Sequence, residues 1–162
     1  MLERIAVISD IHGNIPALDA VQSDIENRGI QRVFCLGDLA GKGPNPIEAV
    51  DRIREWCEIV IKGNWDYYLS EQSEHEVLKW HQNLLGIERL NYLKELPIYQ
   101  EFYVSGKLIR LCHASPNDLC HRVYLFTEKS KRLQLFEATP TLKAEADVVG
   151  YGDIHGAHID HF

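Results

Sequence analysis

A chain of 162 residues is long enough for one compact domain with a continuous core, and 45% hydrophobic against 25% charged residues argues against a disordered or low-complexity protein. The formal charge of -7 argues against a protein that holds nucleic acid through phosphate neutralisation, which needs clustered Lys and Arg, so nucleic acid is not expected as a stable partner. Anionic substrates stay open, because bound divalent cations reverse a local field.

The opening M-L-E-R-I-A-V-I-S-D has an acidic residue and only a short apolar run, which fits neither a signal peptide nor a membrane span; a cytoplasmic location without a membrane partner is expected. Its β-branched stretch, residues 5–9, reads as a strand covered on both faces. Pro16 falls in the first turn of a helix whose Leu18, Val21 and Ile25 recur on one face, and Gly29 stops it. A second strand, R-V-F-C-L-G-D, ends at Asp38; a Pro/Gly loop leads to a helix over 47–56, and a third strand, C-E-I-V-I-K-G-N, ends at Asn64. Strand, helix, strand, helix, strand is the order of parallel βαβ units, whose ligands gather at the carboxyl ends of the strands.

Residues 65–97 read as helical, with Val77, Leu78, Leu84 and Leu85 on one face and Leu90, Leu93 and Leu96 following. Y-Q-E-F-Y-V and K-L-I-R-L-C flank Ser105-Gly106 as a hairpin; a mixed helical segment over 128–138 and an apolar run over 148–151 close the pattern. The class is α/β with parallel and antiparallel strands, in a single domain spanning 1–162. Four cysteines at 35, 57, 112 and 120 form no C-x-x-C pair and read as reduced and mostly buried.

Five motifs fall in order at strand ends or loops: D-I-H (Asp10, His12), G-D (Asp38), G-N (Asn64), C-H (His113) and G-D-I-H (Asp153, His155). Each alone is weak, since a strand-terminal Asp more often caps a helix than binds metal. Jointly and in this order they describe a mixed O/N ligand set that suits Mn, Fe, Zn, Mg or Ni rather than a thiolate metal. Two divalent ions about 3.5 to 4 Å apart can share a carboxylate, acidify a bridging water and neutralise phosphoryl oxygens during in-line attack. Gly13 and Asn14, ahead of the Pro16 helix, could add backbone N–H groups on the same side.

The chain resembles the calcineurin-like metallophosphoesterases, whose pattern is D-x-H, G-D, G-N-H-[DE], H and G-H-x-H, and within them the small bacterial phosphoesterases. The resemblance implies a four-layer αββα sandwich holding two divalent metal ions, with manganese favoured. One ion takes Asp10, His12 and His155, the second Asn64 and His113, and Asp38 bridges; Asp38, Asn64 and His113 carry the catalysis. It implies a small phosphate-ester substrate, a phosphodiester or phosphomonoester, attacked by a metal-bridging hydroxide. The alternative is a catalytically impaired scaffold used for protein binding. The helical segment 65–97 is expected over the mouth of the site.

The chain departs from the pattern at several points. Asp153 stands where the family has a histidine ligand of the second ion: it either coordinates that ion, directly or through water, as preferred here, or leaves it weakly held. Trp65 replaces a histidine that serves as proton donor in relatives, which indole cannot do, and reads as wall packing; Asp66 then reads as a helix cap. Gly41 occupies the place of the iron-binding tyrosine of purple acid phosphatases, so a mixed-valence centre is not supported. Lys42 reads as solvated, His75 and His81 as half-buried helix positions, and His158 and His161 as parts of a terminal tail; His121 is given no role. Family members continue beyond G-H-x-H with further strands, so the chain reads as a natural truncation, a fragment, or a protein that covers an exposed sheet edge with another subunit; a truncated second sheet is expected, with a homo-oligomer as one way to cover its edge.

Overall fold

β1 (Ile5–Ile8) and β2 (Arg32–Cys35) lie parallel, paired from Ile5 with Arg32 to Ile8 with Cys35, because α1 (Ile15–Asn27) carries the chain back between them. Asn14 starts that helix by accepting a hydrogen bond from the Ala17 backbone at 3.2 Å, and Pro16 occupies its first turn. This computed structural model describes residues 4–162. After α2 (Pro46–Trp56), a two-residue β3 (Ile59–Val60) completes a parallel sheet of order β1-β2-β3. The second sheet pairs β4 (Tyr99–Val104) with β5 (Lys107–Cys112) as an antiparallel hairpin, and β6 (Val148–Gly150) joins β5 in parallel. Ser105 and Gly106, with φ of 50° and 79°, form the tight turn that the right-handed twist of a hairpin favours.

Side chains alternate across β2 and thereby set the layers. Phe34 turns inward, where with Leu36 and Ile61 it meets Phe102, Ile109 and Leu111 of the second sheet; the Phe34 and Phe102 rings meet edge to face at 5.2 Å. Cys35 turns outward into a core built from Leu18 of α1, Ala49, Val50 and Ile53 of α2, Leu69 of α3 (Asn64–Ser70) and Leu85 and Leu93 of α4 (Glu76–Glu95). Each buried Leu, Ile or Val in this set is worth about 1.5–3 kcal/mol. The far face of the second sheet carries α5 (Lys129–Leu133), a 3₁₀ turn (Gln134–Phe136) and the loop that follows, giving the expected α/β sandwich of helix, sheet, sheet and a thin helical cover. That cover is pinned by Arg110, fully buried on β5. Its Nε donates to Glu101 Oε1 at 2.7 Å, and its Nη atoms donate to the carbonyls of Leu135, Glu137 and Ala144.

Three expectations change. The segment 65–97 divides into α3 and α4, and Gly86 (φ 71°, ψ 166°) breaks α4 internally. Leu78 and Leu85 pack inward, but Val77 and Leu84, each one residue earlier and so about 100° round the helix, are exposed. Val7 is 43% exposed rather than covered: β1 is an edge strand, and among the described residues only β2 pairs with it. No helix of the described residues is long and apolar enough to cross a membrane.

Candidate metal centre

Parallel strands deliver their carboxyl ends to one side, and the candidate ligands sit immediately beyond them. Asp10 and His12 follow β1, Asp38 follows β2, Asn64 opens α3 after β3, His113 follows β5, and Asp153 and His155 follow β6. Asp10, His12, Asp38, Asp153 and His155 all have positive φ, between 47° and 66°. Non-glycine residues are rare in that region and cost free energy there, so their concentration in these loops marks a functional cluster.

The loops are laced to one another by backbone hydrogen bonds, His12 N–H to the Asp38 carbonyl at 2.8 Å and Asp10 N–H to the Gly37 carbonyl at 3.0 Å. The ends of β2 and β3 approach so closely that a Cβ on Gly37 would lie 2.3 Å from the Gly63 nitrogen, and one on Gly63 2.1 Å from Asp38 Oδ1. Only glycine fits either place.

The side chains converge. One oxygen of Asp10 and one nitrogen each from His12 and His155 lie within 4.8 Å of one another, as do ligand atoms of Asp10, Asp38 and His113. Asp38 sits between the two histidines, Oδ2 at 3.4 Å from His12 Nε2 and Oδ1 at 3.5 Å from His113 Nε2. His12 Nδ1 faces the Ala40 carbonyl at 3.1 Å and His113 Nδ1 the Leu36 carbonyl at 2.7 Å. A carbonyl there fixes the proton on Nδ1 and leaves Nε2 as a lone-pair donor, the arrangement metal-ligating imidazoles use. His12 Nε2, His113 Nε2, Asn64 Oδ1 and Asp10 Oδ1 are all buried without a hydrogen-bond partner. Burial lowers the His12 pKa, favouring the neutral ligand form. At His113 burial opposes protonation too, yet Asp38 and Asp10 outweigh it and push the imidazole up to about 9: this cluster attracts positive charge.

The other residues singled out from the sequence fall as follows. Trp65 is wall packing, its ring against Gly41 and edge-on to His12 at 6.3 Å, with Lys42 5.6 Å above it. His81 is buried against Trp80 rather than half-buried, and His75, His121 and His161 are exposed. His158 bonds the Tyr151 hydroxyl at 2.9 Å. The Gly13 and Asn14 N–H groups, expected to face the site, donate instead to the carbonyls of Leu39 and Ile11 at 3.0 and 2.9 Å, and the Asn14 side chain caps α1.

Two residues gain roles that sequence reasoning missed. Asp66 caps α3 through the Gly63 N–H but also accepts from the Asp38 and Leu39 N–H groups at 2.8 and 3.0 Å, locking the G-D and G-N loops together. Burial, then the Asp38 carboxylate, push Asp66 up to about 6, against the pull of those three donors. Its place in G-N-W-D was the available signal. Arg122 had none; its Nε meets Asp153 Oδ2 at 3.0 Å.

Comparison with known proteins agrees with this geometry. A family model described as the calcineurin-like phosphoesterase superfamily domain matches residues 4–161. The chain is 40% identical over 133 residues to the uncharacterized protein MJ0912 of Methanocaldococcus jannaschii, covering 76% of this chain and 54% of that one. It is 29% identical over 99 residues to the phosphodiesterase YfcE of Escherichia coli K12, covering 54% of each. The chain thus spans about half the length of the curated relatives it matches. Among solved structures, a metallophosphoesterase from Sphaerobacter thermophilus superposes with a TM-score of 0.63 at 30% identity, over 74% of this chain and 50% of that one. The protein PH1004 from Pyrococcus horikoshii OT3 superposes with a TM-score of 0.65 at 25% identity, over 82% of this chain and 62% of that one. Fold, strand-end ligand loops and a match over nearly every residue agree, and the chain belongs to the calcineurin-like phosphoesterase superfamily.

Proposed function

We propose that this protein is a metal-dependent hydrolase of phosphodiesters or phosphomonoesters, working with two divalent cations. The observation that carries the reading is the set of buried atoms without a hydrogen-bond partner on Asp10, His12, Asn64 and His113, together with the convergence of Asp10 ligand atoms on His12 and His155 and on Asp38 and His113. Each such atom costs about 1–3 kcal/mol if left unsatisfied, and a cation offsets that cost for all of them together. In this reading Asp10, His12 and His155 would hold one ion and Asn64 and His113 the other, with Asp38, flanked by both buried imidazoles, available to either. When bound, the cations supply an acidified water and neutralise phosphoryl oxygens during in-line attack. Carboxylate, amide oxygen and imidazole donors without a thiolate favour manganese among Mn, Fe, Zn, Mg and Ni. The protein's own part is orientation: carbonyls fix the tautomers of His12 and His113, Asp66 holds the Asp38 turn, and Trp65 walls one side. The YfcE relative is a phosphodiesterase, which supports the substrate class.

Hydrolysis of bis-p-nitrophenyl phosphate and p-nitrophenyl phosphate in the presence of Mn tests the proposal. The intact protein should show a metal-dependent rate on at least one ester, and Asp38→Asn should reduce it about a hundredfold or more, the scale of losing a group central to charge stabilisation. No rate on either ester with any of the five metals overturns the enzyme reading in favour of a binding scaffold.

A further inference from the structure

We propose that Arg122, clamped by Asp153, is a phosphate-binding arm of this site, and that Asp153 serves the guanidinium rather than a cation. The inference rests on the phosphoesterase reading above and names the residue that meets the substrate's phosphate.

Asp153 is buried, yet both its oxygens are occupied. Oδ2 accepts from Arg122 Nε at 3.0 Å, and Oδ1 accepts from Arg122 Nε at 3.2 Å and from Asn64 Nδ2 at 3.2 Å. The His113 imidazole is more distant, with Nε2 3.8 Å from Oδ1. Asp10, by contrast, turns Oδ1 toward another candidate ligand, His155 Nε2 at 3.2 Å, with no hydrogen bond to it, and neither group of converging ligand atoms includes Asp153. The position that carries an imidazole ligand in relatives here carries a carboxylate turned toward an arginine.

The Asp153 backbone N–H bonds Asp10 Oδ2 at 3.2 Å, so the clamp is tied to the ligand cluster itself. Arg122 therefore stands at the Asn64 and His113 side of the centre, and its side chain is 48% exposed where that of Asp153 is 2% exposed. A guanidinium held through Nε has its plane fixed, while its Nη edge takes no part in the bonds to Asp153 and can meet a second partner. A phosphoryl group fits that edge, since it accepts two parallel N–H···O bonds where a carboxylate on Nε takes only one donor. The clamp also changes the charge of the centre. With Asp153 neutralised by Arg122, only Asp10 and Asp38 oppose the bound cations, and the attraction for an anionic ester rises.

The test uses manganese-loaded protein, with Mn per chain measured by plasma mass spectrometry and binding of inorganic phosphate by calorimetry, in the native chain, Arg122→Ala, Arg122→Lys and Asp153→Asn. Arg122→Ala should bind the native amount of Mn but weaken phosphate about tenfold to a hundredfold, the scale of losing charge-assisted hydrogen bonds. Arg122→Lys should recover part of that loss, and Asp153→Asn should keep the Mn content while weakening phosphate. Loss of one Mn equivalent in Asp153→Asn makes Asp153 a metal ligand and overturns the proposal. Native phosphate affinity in Arg122→Ala overturns it as well, by making the ion pair purely structural. Either result can coexist with ester hydrolysis by the native chain, so the phosphoesterase reading survives it; a native chain that binds no divalent metal overturns both.

Discussion

A carboxylate with no contact to solvent, Asp66, holds the two loops that present Asp38 and Asn64. Replacing it by Ala removes the acceptor from the N–H groups of Asp38, Leu39 and Gly63 and leaves them buried and unpaired. Asp66→Ala should lose about 3 kcal/mol of stability in urea unfolding, with a weaker Mn affinity; an unchanged midpoint would show that the loops are held by other means. The thiols give a second test at this scale. Burial raises Cys35 and pushes Cys57 and Cys112 up to about 12, so all three stay protonated at pH 8, while Cys120 is exposed. An aromatic disulfide reagent should titrate one thiol in the native protein and all four in denaturant; rapid reaction of three or more in the native state contradicts the burial described. The convergence of Asp10, His12, Asp38, His113 and His155 was legible in the sequence because each follows an apolar strand within a short motif. Arg122 was not, since the carboxylate that gives it meaning lies 31 positions further on.

Periodicity located the elements and misjudged their extent. The strands read as 32–38 and 57–64 contain sheet pairing only over Arg32–Cys35 and Ile59–Val60. The left-handed turn at Gly37 and Asp38 and the approach of Gly63 end the ladders and turn the strand tails into ligand loops. Such a turn is invisible to an apolar count. The helical segment failed at a finer level: Leu78 and Leu85 lie on the buried face, Val77 and Leu84 sit one residue, about 100°, away from it, and Gly86 breaks a helix that the apolar pattern reads as continuous. A Cβ at Gly86 would meet nothing within 4 Å, so Gly86→Ala isolates backbone strain. It should destabilise by about 1–3 kcal/mol, read from denaturant unfolding. A neutral or stabilising effect would mean that α4 runs straight through this position.

The whole molecule depends on two sheets facing each other, with helices on one outer face and a thin cover on the other. Parallel strands followed by a hairpin were legible in the sequence; what holds the cover was not. Nothing in K-L-I-R-L-C marks Arg110 as buried, because its carbonyl acceptors lie 25, 27 and 34 residues away. Arg110→Ala leaves Glu101 uncompensated and should cost about 3–5 kcal/mol, whereas Arg110→Met with Glu101→Leu should cost far less. Equal losses in the single and double variants, compared by calorimetric unfolding, would contradict the ion pair as the pin. The sandwich matters functionally because it brings loops from both sheets, Asp10 from β1 and His113 from β5, to one cluster of charge. Anomalous diffraction from manganese-soaked crystals tests that convergence most directly. The account predicts two peaks within coordination distance of the cluster, one at His12 Nε2 and one at His113 Nε2, with Asp38 between them; a map with no peak among these side chains would contradict it.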